Sequence, residues 1–318
     1  RLKRTTASAV RPSNANSAAK VYPTGASISP GIAASPEAPT VYSVVRSRPP
    51  ANGAVVPFVA TVHDLFPLTR PDDFTTRGAR LMRGGLEWVL QHARAVMVPS
   101  ATVAAACVEH GVAPDDVSVV PWGSDPTPVD LHRVDAVRRR HGLVGPYVLF
   151  VGTVEPRKNL AGLLAAVARL DRPELTVAVA GPAGWGEELD VVAAGLASPV
   201  ARLGPVPDDD LPGLYAGADV FCFPSFEEGF GLPVLEAMAA GAPVVTSATT
   251  ATADVAGDAA LLVDPRDTAA LAAALAAVLD DPELADRLRS AGFARAAAHR
   301  WSAAAGATVD VYRRVLDR

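Results

Sequence analysis

The chain has 318 residues, 49% hydrophobic and 20% charged, enough apolar material for a sizeable core and in practice two. Two cysteines, Cys107 and Cys222, exclude a disulfide framework and favour a reducing cytoplasm, and no apolar run approaches the ~20 residues of a membrane span. The net charge of −5 is unevenly spread: residues 1–145 hold 16 Lys+Arg against 11 Asp+Glu and the remainder 13 against 23, so the first half suits an anionic lipid surface or a phosphate-bearing partner.

Residues 1–53 are rich in Ala, Ser, Pro, Thr and Asn without a sustained period of 2 or 3.6, which predicts an irregular or incomplete N-terminal segment. Residues 54–130 read as the remainder of a first α/β domain. Val55 to Val62 is apolar and β-branched, and His63-Asp64 follows at the strand end, where open α/β sheets gather ligands. Taken alone, such a pair is more often structural, the Asp capping the next turn. A helix is expected over Arg77–Ala93 with Leu81, Leu86, Val89 and Leu90 inward, then a strand at Ala95–Val98. Ser100 caps a helix that runs through His110 to Gly111. Val117–Val120 is expected as a buried strand, followed by Trp122-Gly123-Ser124-Asp125. The domain boundary falls in the polar segment Pro126–Pro146, whose helix Asp135–Arg140 is expected to be solvated by its own charges.

From Tyr147 a regular βα alternation predicts a second α/β domain over residues 146–300. The strand Tyr147–Val151 leads through Gly152-Thr153-Val154-Glu155-Pro156-Arg157-Lys158-Asn159 into the helix Leu160–Leu170. Arg157 and Lys158 precede a helix N-terminus, where the macrodipole disfavours cations, so an anion should compensate them. A diphosphate is the economical candidate, and plain surface basicity the alternative. The strand Leu175–Ala180 ends at Gly181, and another spans Ala201–Val206. Asp208-Asp209-Asp210 has the spacing of a divalent-cation site, but it opens the helix Leu211–Ala216, where capping would satisfy it; no metal is expected.

Val220–Phe223 is a buried strand ended by Pro224-Ser225. The chain then passes through Glu227-Glu228-Gly229-Phe230-Gly231 into a helix from Leu232 to Gly241, an arrangement that presents backbone N–H groups to a phosphate. Glu236 follows Glu228 by eight positions, about 12 Å along a helix axis. It shares a face with Leu232, Ala239 and Ala240, so its carboxylate needs a partner with several hydrogen bonds, a ribose diol or a nearby Arg. Strands at Pro243–Thr246 and Leu261–Val263 precede helices at Thr268–Leu279, Pro282–His299 and Trp301–Leu316.

The run Phe-Pro-Ser-x-x-Glu-Gly-Phe-Gly-Leu-Pro-x-Leu-Glu-Ala-Met-Ala-x-Gly over residues 223–241 resembles the signature of the family 4 retaining glycosyltransferases, nucleotide-sugar-dependent enzymes of the two-domain GT-B architecture. The likeness extends in order from about Val59 to the C-terminus. It implies two Rossmann-like domains facing a cleft, with residues 301–318 crossing back to the first. It also implies that His63, in Thr61-Val62-His63-Asp64-Leu65, is catalytic, beside the donor sugar. Lys158 would bind the donor diphosphate. Many members carry a second Arg where this chain has Thr153, so Arg157 either substitutes for it or does something else.

By the same resemblance Glu228 grips sugar hydroxyls, Glu236 the ribose, and the amides of Gly229, Phe230, Gly231 and Leu232 face the phosphates. Gly152, Thr153, Gly181 and Val206 complete the donor site, and His63, Lys158 and Glu228 are its catalytic members. The implied partners are a nucleotide-sugar donor and a glycan or lipid-linked acceptor, with peripheral contact at the inner membrane face, and no nucleic acid, cofactor or metal. The implied reaction is front-face transfer of a mannose- or glucose-type hexose. The chain departs from the family at its start, which lacks the usual strand, glycine-rich loop and long helix. The alternative is therefore a nucleotide-sugar-binding protein without transfer.

Overall fold

The computed structural model describes residues 58–71, 74, 76–125, 129–184, 193 and 195–317, with the backbone of residues 43–44. The expectations for residues 1–42 and 45–57 lie outside the described residues.

The first lobe is built on a four-stranded sheet of order β1-β2-β3-β4. Its strands are β1 (Ser43–Val44), β2 (Val59–Thr61), β3 (Ala95–Val98) and β4 (Val117–Val119). β2, β3 and β4 are parallel, and β1 runs antiparallel to β2. The apolar run of β3 is buried throughout, as a central parallel strand requires. β4 lies at the sheet edge, so Val119 is 45% exposed rather than buried as its composition suggests. Helix α1 (Phe66–Thr69) follows β2, and α2 (Thr76–His92) turns Ala79, Leu86, Val89 and Leu90 inward. Leu81 was expected on that face but is 66% exposed. It stands five residues before Leu86, about 140° round the helix, so the burial phase of α2 carries it outward. α3 (Ala101–Glu109) begins at Ser100, whose Oγ accepts from the Val103 amide at 3.2 Å.

Helix α4 (Leu131–Arg140) follows, and then a six-stranded, wholly parallel sheet of order β10-β9-β8-β5-β6-β7. Its strands are β5 (Tyr147–Val151), β6 (Thr176–Ala180), β7 (Val200–Gly204), β8 (Val220–Phe223), β9 (Val244–Ser247) and β10 (Leu261–Val263). The helices are α5 (Leu160–Ala168), α6 (Leu211–Ala216), α7 (Leu232–Ala240), α8 (Ala251–Ala256), α9 (Thr268–Asp280), α10 (Pro282–Ala297) and α11 (Trp301–Leu316). The centre of this sheet lies in the largest apolar cluster among the described residues, with Tyr147, Phe150, Phe221 and Phe223 fully buried. α11 leaves this lobe and sets Ala304, Val311 and Val315 against Val59, Ala95, Met97 and Val120 beneath the first sheet.

Two local expectations are corrected. α4 is not a solvated linker: Val134 and Val137 are buried, and Val137 packs directly on Gly213 of α6. Asp210 does not cap α6. Its buried carboxylate instead takes Arg140 and, at 3.0 Å, His141 Nε2, because the end of α4 is brought against it. Those two partners outweigh the upward push of desolvation and hold the carboxyl below its ordinary range.

Candidate functional site

The carboxyl ends of β5 and β8 open side by side, and the chemistry-bearing residues converge there. Beyond β5 the chain crosses Gly152 and makes one 3-10 turn, Pro156–Lys158. Asn159 then caps α5 from the left-handed region at φ 56°, accepting from the Gly162 amide and donating to the carbonyls of Pro224 and Pro265. These bonds tie the Arg157-Lys158 turn to the loop after β8.

Lys158 Nζ lies 3.5 Å from Glu228 Oε1 and 4.9 Å over the Phe223 ring. The same Glu228 oxygen accepts from Arg157 Nη1 at 2.9 Å and from Ser225 Oγ at 3.2 Å. Burial pushes the Glu228 carboxyl up, but Lys158, Arg157 and the Ser225 bond prevail and hold it below the usual range. Arg157 also donates to the Glu227 carbonyl at 3.0 Å and to Glu155, and its guanidinium lies 4.9 Å over the Phe66 ring. The anions that compensate Arg157 are thus carboxylates of the protein. A diphosphate is not required for that purpose.

The loop after β8 also meets the first lobe. A Cβ at Gly229 would stand 2.1 Å from the His63 carbonyl oxygen and 3.3 Å from Asp64 Cβ, so glycine is the residue that lets the lobes touch here. Ser100 Oγ, besides capping α3, donates to the Gly229 carbonyl at 2.7 Å. The His63 ring is 5.0 Å from Trp122, which is 5.4 Å from Phe230, so the segment after β4 inserts an indole between strand-end histidine and glycine loop. Arg70 pairs with Glu227 at 3.5 Å across the same seam.

Asp64 accepts from the Phe66 amide at 3.1 Å, the turn cap expected of a strand-end His-Asp pair. Burial raises its pKa to about 6; the Phe66 amide and Arg157 oppose the rise, and Glu228 and Glu155 reinforce it. A raised folded pKa favours the protonated form, so this contribution to stability is complete below the unfolded value near 4 and lost as pH climbs through about 6. Asp64→Asn keeps the acceptor and removes the charge. The variant should melt higher than the parent at pH 7, with the gap closing toward pH 4. An equal gap at both pH values in calorimetric melts would refute this.

α7 begins at Gly231, φ 96°, with no side-chain cap. Pro233 brings no N–H and the Val234 amide donates to the Gly231 carbonyl at 2.9 Å, so of the first turn only the Leu232 amide can join those of the glycine loop as a donor to a ligand. Glu236, about one turn along α7, accepts from Tyr215 Oη at 3.0 Å. Its protein partner is that tyrosine rather than an Arg. Burial raises the Glu236 pKa, and Asp208 adds to the rise against the Tyr215 bond. Gly152 and Gly181 press together, a Cβ on Gly181 falling 2.2 Å from the Gly152 oxygen, so the ends of β5 and β6 form one floor. Thr153 and Val206 are half-buried at the ends of β5 and β7. The structure therefore joins Lys158, Glu228 and Arg157 directly, brings His63 and Phe230 to Trp122, and leaves Glu236 farther along α7 with Tyr215. Ser225, Glu155, Phe66 and the second bond of Ser100 escaped sequence reading. Only Ser225, inside the signature, carried a local signal.

Two Rossmann-like lobes facing a cleft and tied by a returning C-terminal helix are the GT-B architecture. Residues 136–295 match the family described as Glycosyl transferases group 1, and residues 36–127 match Glycosyltransferase Family 4. O-antigen chain mannosyltransferase B of Escherichia coli is 34% identical over 265 residues, covering 80% of this chain and 70% of its own. MMP alpha-(1->4)-mannosyltransferase of Mycolicibacterium hassiacum is 33% identical over 283 residues, covering 82% and 66%. Anabaena HepE, solved with UDP and glucose, superposes with a TM-score of 0.71 at 22% identity, over 82% of this chain and 72% of that one. The chain belongs to the group 1 and family 4 glycosyltransferases.

Proposed function

We propose that this chain moves a mannose- or glucose-type hexose, with retention, from a nucleoside-diphosphate sugar to a glycan or lipid-linked acceptor. The observation that carries the proposal is the Lys158–Glu228 pair, 3.5 Å apart beside the uncapped start of α7. A leaving diphosphate needs preorganised positive charge, and Lys158 with the Leu232 amide and those of the glycine loop provides it. Glu228, held ionised, accepts hydrogen bonds from sugar hydroxyls, and Glu236 has an oxygen left for the ribose. In the transfer, the bond from the anomeric carbon to the diphosphate oxygen breaks. The acceptor oxygen bonds on the same face, and its proton passes to the departing phosphate.

A double displacement would need a carboxylate about 5 Å from its partner across the reacting carbon. Asp64, next to His63, is committed to the Phe66 amide and stands in the field of Glu155 and Glu228, which favours the front-face route. The mannosyltransferase names of two relatives, and the UDP and glucose in HepE, support the donor class. No cofactor and no metal ion enter this scheme. For the proposed peripheral membrane contact, the support is the outward face of α2, where Leu81 and Trp88 (44% exposed) lie with exposed Arg77 and Arg80.

Thermal melts with GDP, UDP, GDP-mannose and UDP-glucose test the reading. A cognate nucleotide at a hundredfold excess over Kd should add about 2.7 kcal/mol, and its sugar form should release free nucleotide on acceptor addition. Binding without release, over a range of glycan and lipid-linked acceptors, would favour the non-transferring alternative. Absence of any shift would sink both.

A further inference from the structure

Arg157 and Lys158 are neighbours on one turn, yet the protein uses them differently. Lys158 makes one carboxylate contact, at 3.5 Å. Arg157 is a junction. Nη1 donates to Glu228 Oε1 at 2.9 Å and to the Glu227 carbonyl at 3.0 Å, and Nη2 takes Glu155. Its own backbone carbonyl accepts from the Phe226 amide at 2.8 Å, and its guanidinium face lies on Phe66, a residue of the first lobe. The side chain is 13% exposed and that of Glu155 6%. Three of its five N–H donors are already taken by two carboxylates and a carbonyl, so the protein itself supplies the anions this guanidinium needs, and a phosphate would have to compete with Glu228 and Glu155 for it. Releasing Glu228 would leave a buried carboxylate with only Lys158 and the Ser225 hydroxyl as partners.

We infer that Arg157 is a positioning residue for Glu228: it fixes that carboxylate against the donor sugar and, through Phe66, ties its placement to the apposition of the lobes. The inference rests on the donor site proposed above. It separates the two cations by task, Lys158 acting on the diphosphate and Arg157 on the group that holds the sugar. Glu155 is the third member, its charge keeping the guanidinium oriented toward both carboxylates.

The test compares ligands that share the diphosphate and differ in the sugar. Calorimetry with GDP, UDP, GDP-mannose and UDP-glucose, and steady-state kinetics, are run on the wild-type chain, Arg157→Met, Glu228→Gln and the double variant. Arg157→Met should bind the cognate nucleoside diphosphate within about threefold of wild type, bind the nucleotide sugar at least about tenfold more weakly, and lose about a hundredfold in kcat. The double variant should fall no more than about threefold below Glu228→Gln, since an orienting group has nothing to orient once its client is changed. Equal losses for diphosphate and nucleotide sugar would make Arg157 a phosphate ligand and overturn the inference, as would fully additive losses in the double variant. Should Arg157→Met fail to fold, Phe66→Leu, which leaves the fork intact, must lower kcat with nucleoside diphosphate affinity unchanged; unaltered kcat overturns the inference. If the wild-type chain binds none of the four ligands, it is the donor reading that fails. If wild type turns over donor while the variants behave otherwise, the role given to Arg157 alone is wrong.

Discussion

Replacing Lys158 with alanine should lower kcat/KM about a thousandfold while leaving the unfolding midpoint within a few degrees of the parent. Removing one preorganised donor from a site of developing charge typically costs about 10²–10³ in rate, and Lys158 brings a full charge to a leaving group that gains one. The site is dry enough for that charge to count, since the Lys158 side chain is 12% exposed and that of Glu228 11%. Burial alone would push the Glu228 carboxyl upward, and Lys158 is the leading influence that reverses this. The variant should therefore weaken both ends of the proposed donor grip. Lys158→Arg should recover little. The ammonium lies over Phe223, and a Cβ on Gly152 would approach its stem to 3.0 Å, so a planar fork has no room. Steady-state rates within tenfold of wild type for Lys158→Ala would remove the lysine from the reaction.

How much of this was legible beforehand follows from where each partner lies along the chain. β5 and β8 were readable to the residue, because strands buried on both faces in a parallel sheet form unbroken apolar runs. The loop from Glu228 to Leu232 was readable for the same local reason: strand, glycine turn and helix start all fall within a dozen positions. Arg157 was not. Its partners Glu228 and Phe66 are far off in sequence, so a cation at a helix start suggested an absent anion when the fold supplies a buried one. Asp210 misled likewise, since capping is the local expectation and its contact with Arg140 and His141 at the end of α4 is a tertiary fact. Leu81 shows the limit of periodicity, which sets the width of a face better than its phase. Ser100 carried a sufficient local explanation, and so concealed its bond to Gly229 across the cleft.

Gly229→Ala should abolish most transfer without unfolding either lobe. The added methyl would sit 2.1 Å from the His63 carbonyl oxygen, and backbone on both sides leaves nothing flexible to yield. Restoring a van der Waals separation of about 3.5 Å means moving the two lobes apart by more than 1 Å at the seam, a displacement that can cost about 10² in rate. The same shift would stretch the 2.7 Å bond from Ser100 to the Gly229 carbonyl and separate His63 from the glycine loop it faces. Neither core is touched: the residues that support β3 and β5 lie below the seam, and α11 still binds the lobes together from behind. Nucleoside diphosphate affinity should therefore stay within about threefold of wild type, since Lys158 and the start of α7 belong to one lobe, while kcat falls at least a hundredfold. Small-angle scattering should show a slightly larger radius of gyration at an unchanged melting midpoint. Wild-type kcat in Gly229→Ala would mean that the lobes need not touch at this glycine for chemistry to proceed, and that the reactive geometry is set elsewhere in the cleft.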